Sequence, residues 1–170
     1  LTIQKAVDVA SALDNGGFDI TIQVRDGTYT GANALKSFVG SGRIIIQGNS
    51  GTPANVVISV TSNTCFYASN VMGIYRIKDL KLQTTTAGNG IYSAALSYVE
   101  HTNCDFGAVA DYQILVDSLA VVNCLGNYTI SGASRCHFYA TNGYITRGTT
   151  LTVTVSGTPA FSTAFALATD

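Results

Sequence analysis

The sequence predicts an all-β solenoid closed at its N-terminal end by one short α-helix, and three observations predict it. An aromatic residue recurs at Tyr67, Tyr92, Tyr112, Tyr128, Tyr144 and Phe161, at intervals that shorten and then hold nearly constant. Several of these open short alternating apolar runs, such as Tyr112-Gln-Ile-Leu-Val116, and self-similarity at a near-fixed period marks a repeat architecture. Hydrophobic residues make up 46% of the chain and charged residues only 11%, with 17 glycines, which suits a β-rich body with tight turns. A disordered chain would combine low hydrophobicity with high charge. The third observation is the single helical pattern, which lies at the start.

Residues 2–14 carry apolar side chains at 3, 6, 7, 10 and 13, a helical spacing. Thr2 suits the N-cap and Asn15-Gly16-Gly17 is a strong stop. Such a helix acts as a lid, because a first rung left bare shows apolar core and unpaired strand edges to water. Ile20, Ile22 and Val24 then alternate with polar residues before the turn Asp26-Gly27. Residues 43–48 and 56–60 are two further strands around the loop Gly48-Asn-Ser-Gly-Thr-Pro53. The rungs beyond are written as 65–90, 91–111, 112–127, 128–143, 144–160 and 161–170. The chain reads as one domain, 1–170, with a capping helix in 1–17 and rungs over 18–170. It begins at Leu1 and is expected to be a piece of a longer protein.

In a solenoid, residues far apart in sequence stack about 4.8 Å apart in adjacent rungs. Parity places Leu80, Cys104, Cys124 and Ala140 in one inward column. Ile114 and Ile130 share another with the smaller Ser69, Ala94 and Thr146. Gln113, Thr129 and Arg147 face outward. The six aromatics Tyr67, Tyr92, Tyr112, Tyr128, Tyr144 and Phe161 form a structural ladder whose rings face inward and hold register. A sugar-binding platform is the functional alternative. Cys104 and Cys124 are core thiols stacked in one column, with a disulfide between rungs as the alternative.

The net charge is −1 with no basic run longer than two residues, which excludes the footprint of a nucleic-acid binder. No apolar stretch approaches the length that a membrane span needs, so none is expected. The four cysteines form no C-x-x-C pair, so no metal site is expected. His101 and His137 fall in one column two rungs apart, without a third ligand, and are expected at the surface or a strand edge. No P-loop, dinucleotide fingerprint or nucleophile elbow occurs, so no cofactor is expected. Asp79, Asn103 and Asn123 are expected to stack outward, and Lys81 to pair with Asp105. Glycoside hydrolysis needs two carboxylates about 5–10 Å apart. Glu100 and Asp105 are the nearest candidates for such a catalytic pair, although a turn separates them.

The segments Thr2-Ile3-Gln4-x-Ala6-Val7-Asp8 and Val24-x-Asp26-Gly27-Thr28-Tyr29 resemble the opening of pectin-lyase-like right-handed parallel β-helices. Ile45-Ile46-Gln47-Gly48-Asn49, Leu80-Lys81-Leu82-Gln83-Thr84, Gly126-Asn127-Tyr128-Thr129-Ile130 and Gly157-Thr158-Pro159-Ala160-Phe161 are similar to β-helical segments of phage and prophage tail fibres and tailspikes. The resemblance implies a right-handed parallel β-helix in a virion tail appendage or other extracellular rod. It implies a structural and adhesive role, a homotrimer, and bacterial surface polysaccharide as a partner. The enzymes' catalytic motifs do not carry over. Of the polygalacturonase segments only Arg76-Ile77-Lys78 is present, and no acidic calcium cluster is visible. A polysaccharide depolymerase and a secreted bacterial adhesin are the alternative functions, because one fold hosts many activities.

Overall fold

A computed structural model describes residues 2–148 and 150–169. The helix α1 (Ile3–Ser11) opens the chain, and the Thr2 hydroxyl caps it by accepting from the Lys5 N–H at 3.2 Å. Its Ile3, Val7 and Ala10 are buried. They cover the first turn of a parallel β-helix as the lid's inner face, whereas Leu13, read as part of the same stripe, lies beyond the helix and is exposed.

Each turn of the helix contributes one strand to each of three sheets. The first turn holds β1 (Ile20–Gln23), β2 (Gly27–Tyr29) and β3 (Asn33–Ala34). The second holds β4 (Arg43–Gln47), β5 (Val56–Ser62) and β6 (Phe66–Ser69), with a 3-10 turn at Pro53–Asn55. The third holds β7 (Ile74–Lys78), β8 (Lys81–Ala87) and β9 (Ile91–Ala94). The fourth holds β10 (Tyr98–Thr102), β11 (Asp105–Phe106) and β12 (Tyr112–Asp117). The fifth holds β13 (Val121–Cys124), β14 (Tyr128–Ile130) and β15 (Ser134–Thr141). The sixth holds β16 (Tyr144–Arg147), β17 (Val153–Val155) and β18 (Phe161–Thr169). Sheet I is β1-β4-β7-β10-β13-β16, sheet II is β2-β5-β8-β11-β14-β17, and sheet III is β3-β6-β9-β12-β15-β18. Every strand pairing is parallel.

The turn length follows from the register. Ile20, Ile44, Tyr75, Val99, Val122 and Ile145 superpose in sheet I. The intervals between them are nearly equal except for the second, from Ile44 to Tyr75, which is longer. That turn contains the loop around the 3-10 turn at Pro53–Asn55. This register corrects the expected ladder. The step from Tyr112 to Tyr128 covers only two thirds of a turn, and the step from Tyr128 to Tyr144 does the same, so each lands two faces further on. Tyr112, Tyr128, Tyr144 and Phe161 accordingly lie on sheets III, II, I and III. Only the step from Tyr67 to Tyr92 links direct register partners.

The inward columns are apolar and well filled. In sheet II the column is Tyr29, Ile58, Leu82, Phe106, Ile130 and Val155. In sheet III, Phe66, Ile91 and Ile114 stack fully buried. The expected inward columns therefore regroup. Leu80 and Cys104 do fall together just ahead of the Lys81–Asp105 pairing. Cys124, however, stands on sheet I and Ala140 on sheet III. Ile114 and Ile130 likewise lie on different sheets.

Two corners fix where the chain changes face. Between sheets I and II, Asp79 and Asn103 take left-handed backbone angles, φ 62° and 49°. The Asn103 side-chain amide donates to Asp79 Oδ1 at 2.8 Å. The next residue around this corner is Asn127, whose carbonyl accepts from the Asn103 N–H at 2.7 Å. The expected third member, Asn123, lies instead within β13, in register with Glu100. Asn and Asp tolerate this conformation because the short polar side chain bonds locally. Between sheets III and I, Asn70, Ala95, Ser118 and Asn142 also have positive φ.

The close approach of successive turns is measurable. A side chain at Gly132 would collide with the backbone of Gly107 and Ala108 in the turn before, whereas Gly31 has open space around its Cβ position. Gly132→Ala is expected to destabilise by about 1–3 kcal/mol, an overpacking effect. Leu82→Ala is expected to cost about 2–5 kcal/mol through a core cavity. Gly31→Ala is expected to be close to neutral. Urea unfolding followed by circular dichroism tests this ranking.

Candidate functional site

Parity in each strand sorts the polar side chains onto three outer faces and one interior. The interior holds an unexpected polar group. His101 and His137 are both fully buried, not at a surface or edge. His101 lies on sheet I and His137 on sheet III, so they share no column. Their rings pack edge-on against Phe106, at 5.3 and 5.4 Å between centroids. His137 Nε2 bonds the Tyr128 hydroxyl at 2.8 Å, and its Nδ1 bonds Gln113 Oε1 at 2.6 Å. Gln113, expected outward, is fully buried and donates to the carbonyls of Gly132 at 2.8 Å and Gly107 at 3.1 Å. It ties the chain between sheets II and III from inside. His101 Nε2 meets Cys124 Sγ at 3.0 Å, while its Nδ1 has no partner.

This network is neutral. Burial holds both histidines down to about 3, with the nearby His101 adding to the effect on His137. Burial pushes the Cys124 thiol up to about 12. A nucleophilic cysteine needs a thiolate stabilised by a cation. Cys124 and His101 are instead a thiol beside a neutral imidazole, and their arrangement is that of a packed core. Cys65, Cys104, Cys124 and Cys136 are all buried free thiols. Among the described residues, no group of three His, Cys, Asp or Glu could hold a metal ion.

The two candidate catalytic carboxylates stand apart. Glu100 is on the outer face of sheet I and is only 4% exposed. Its Oε2 accepts from Arg43 Nε at 3.0 Å and from Arg76 Nε at 2.8 Å. Asp105 is on the outer face of sheet II and pairs with Lys81 at 3.2 Å. The lysine ammonium also donates to Ser131 Oγ at 3.1 Å. Each carboxylate is engaged by cations, and a corner separates them, so they flank no common bond.

The aromatics turn outward on sheet III. Tyr67 is 38% exposed and Tyr144, on sheet I, is 58% exposed, which corrects the inward assignment. Tyr128 alone of the ladder tyrosines is buried. Phe161 packs partly buried against the core. Tyr67 and Tyr92 lie 4.9 Å apart with rings tilted by 44°. Tyr112 stacks on Tyr139 at 4.5 Å and 12°. The Tyr92 hydroxyl donates to Asp117 Oδ2 at 2.6 Å; burial, then this carboxylate, raises the phenol well above its ordinary value. Arg135 lies 5.1 Å over the Tyr112 ring. Sheet III thus presents a run of tyrosines with polar groups beside them.

Arg147 is exposed, as expected, although it shares the column of Cys124; it lines an apolar cavity of about 810 Å³ at the C-terminal end, with Tyr128, Phe138 and Phe165. Sequence reasoning missed Arg43, Arg76 and Tyr139. The signal was the separation of one turn, which joins Arg76 to Glu100, Gln113 to His137 and His101 to Cys124. No family model, curated protein or solved structure matches the chain.

The buried histidines give a pH dependence with a definite sign. Unfolded, each titrates near 6.5; folded, near 3. Between these values the unfolded chain binds more protons, so stability is full above about pH 6.5 and falls as pH drops. The slope is at most about 1.4 kcal/mol per pH unit per histidine. The urea midpoint is expected to fall from about pH 6.5 to 4.5, above most carboxylate titration. It is expected to flatten over that window in His101→Gln/His137→Gln.

Proposed function

We propose that this chain is a structural and adhesive β-helical segment of a phage or prophage tail fibre or tailspike. It works outside the bacterial cell, as a rigid rod whose outer face meets surface polysaccharide, and assembles as a homotrimer. The observation that carries this reading is the outer face of sheet III, where Tyr67, Tyr92 and Tyr139 stand in one column with Leu115 between the last two, and Tyr112 stacks on Tyr139. Tyrosine offers an apolar ring for the C–H faces of a sugar and a hydroxyl for its oxygens. Asp117 and Arg135 stand beside the rings as hydrogen-bonding groups.

Two further features support a binding rod over a hydrolase. Glu100 and Asp105 are held in ion pairs on different faces. The interior polar groups are fully buried and neutral, beyond the reach of a polymer. The likeness of several segments to tailspike β-helices supports the choice of a phage appendage.

On an array of bacterial surface polysaccharides the purified chain is expected to bind a restricted set. Tyr67→Ala, which removes an exposed ring, is expected to weaken that binding about tenfold, equivalent to about 1.4 kcal/mol. A flat array, or unchanged binding in Tyr67→Ala, counts against the adhesive face. Sedimentation equilibrium tests the assembly, with a particle three times the 17.7 kDa chain mass expected.

A further inference from the structure

Three successive turns of sheet I converge on one carboxylate. Arg76 and Glu100 are register partners in β7 and β10. Arg43, one turn earlier in β4, stands in the neighbouring column, opposite Ile74. Both guanidiniums reach the same oxygen, Glu100 Oε2, and Arg76 does so through Nη2 as well as Nε, both at 2.8 Å. Glu100 is too buried to meet a ligand itself. Its role is to hold two guanidiniums side by side.

One carboxylate balances only one of these two cations. Among the described residues, the Nη atoms of Arg43 and Nη1 of Arg76 make no hydrogen bond to the protein. The two side chains remain 36% and 25% exposed, so these donors face outward. Among the described residues, no carboxylate other than Glu100 makes an ion pair with either guanidinium. Asp19 already accepts the Arg43 backbone N–H through Oδ1 at 2.8 Å, and Lys78 is paired with Asp79 at 3.3 Å. Neutral polar groups continue the same face: Asn123 donates to the Tyr98 hydroxyl at 3.2 Å and accepts from Thr146 at 3.1 Å.

Planar guanidinium forks fit carboxylate and phosphate through two parallel hydrogen bonds. A clamp that fixes the forks on folding lowers the ordering cost at binding. We propose that Arg43 and Arg76, held by Glu100, form an oxyanion site that takes the carboxylate or phosphate of an anionic saccharide. That a saccharide carries the anion rests on the adhesive reading above. The oxyanion site itself does not.

The test is titration of the full chain, followed by NMR of the arginine side chains, with methyl glucuronide, glucose 1-phosphate and glucose. Saturable binding of either anion with glucose silent is expected, and whichever anion binds identifies the source. Arg43→Gln leaves Glu100 paired with Arg76, so the fold is kept, and is expected to weaken the anion at least tenfold. Arg76→Gln/Glu100→Gln, which leaves no unpaired buried carboxylate, is expected to abolish it. Tyr67→Ala is expected to change nothing here, which separates this site from the sheet III face. Failure of both anions to bind, equal binding of glucose, or an Arg43→Gln variant that binds like the parent overturns the proposal. Anion binding together with a flat polysaccharide array keeps the site and removes only its saccharide.

Discussion

Parallel stacking of turns is the constraint on which everything else in this molecule depends. Each turn crosses three faces, and each strand finds its hydrogen-bond partners only in the turns before and after it. The backbone ladder is satisfied only if the chain returns to the same place after a nearly constant length. The corners enforce that return. Asp79 and Asn103 turn the chain with left-handed backbone angles, and the Asn103 amide then bonds Asp79 in the turn before. Where a turn is longer, as in the second, the surplus is carried in a loop on the outside. The inward columns stay continuous from turn to turn, and Ile, Leu, Val and Phe fill most of their positions.

That continuity makes the interior polar network instructive. The column that runs through Ile22, Ile46 and Ile77 continues with His101 and Cys124. The helix accommodates these groups because each has a partner one turn away or across a corner, and because all are neutral. Buried polar groups are tolerated when they are bonded and uncharged. Gln113 joins the backbone of two sheets, so this region replaces apolar packing with directed hydrogen bonds. Burial that keeps the imidazoles unprotonated also keeps the thiols protonated.

The outer faces divide the remaining groups. Sheet III gathers tyrosines, sheet I gathers the arginines and their shared glutamate, and sheet II carries the Lys81–Asp105 pair. Strand parity and turn length produce this division together, since a residue one turn later returns to the same face. A rod built in this way offers long, separate strips, each of which can meet an extended ligand along its axis.

Much of the fold was legible in the sequence. The alternating runs, the lone amphipathic stretch with Thr2 before it, and Gly- and Asn-rich punctuation determine a capped all-β solenoid, because hydrophobic period and turn chemistry are local properties. The candidate sites were less legible. The equal steps from Tyr112 to Tyr128 and on to Tyr144 look like a repeat, yet each is two thirds of a turn, and together they scatter these tyrosines over three faces. Parity written in the wrong period sent His101, His137 and Gln113 outward and the tyrosines inward. A strand's two faces alternate, so an error of one position exchanges core for solvent. The sequence by itself determined that the chain is an all-β solenoid punctuated by Gly- and Asn-rich turns and that a helix covers its first turn. Only the tertiary structure decided which residues meet, because the length of a turn is set by the stacking of backbones and is not written in any one strand.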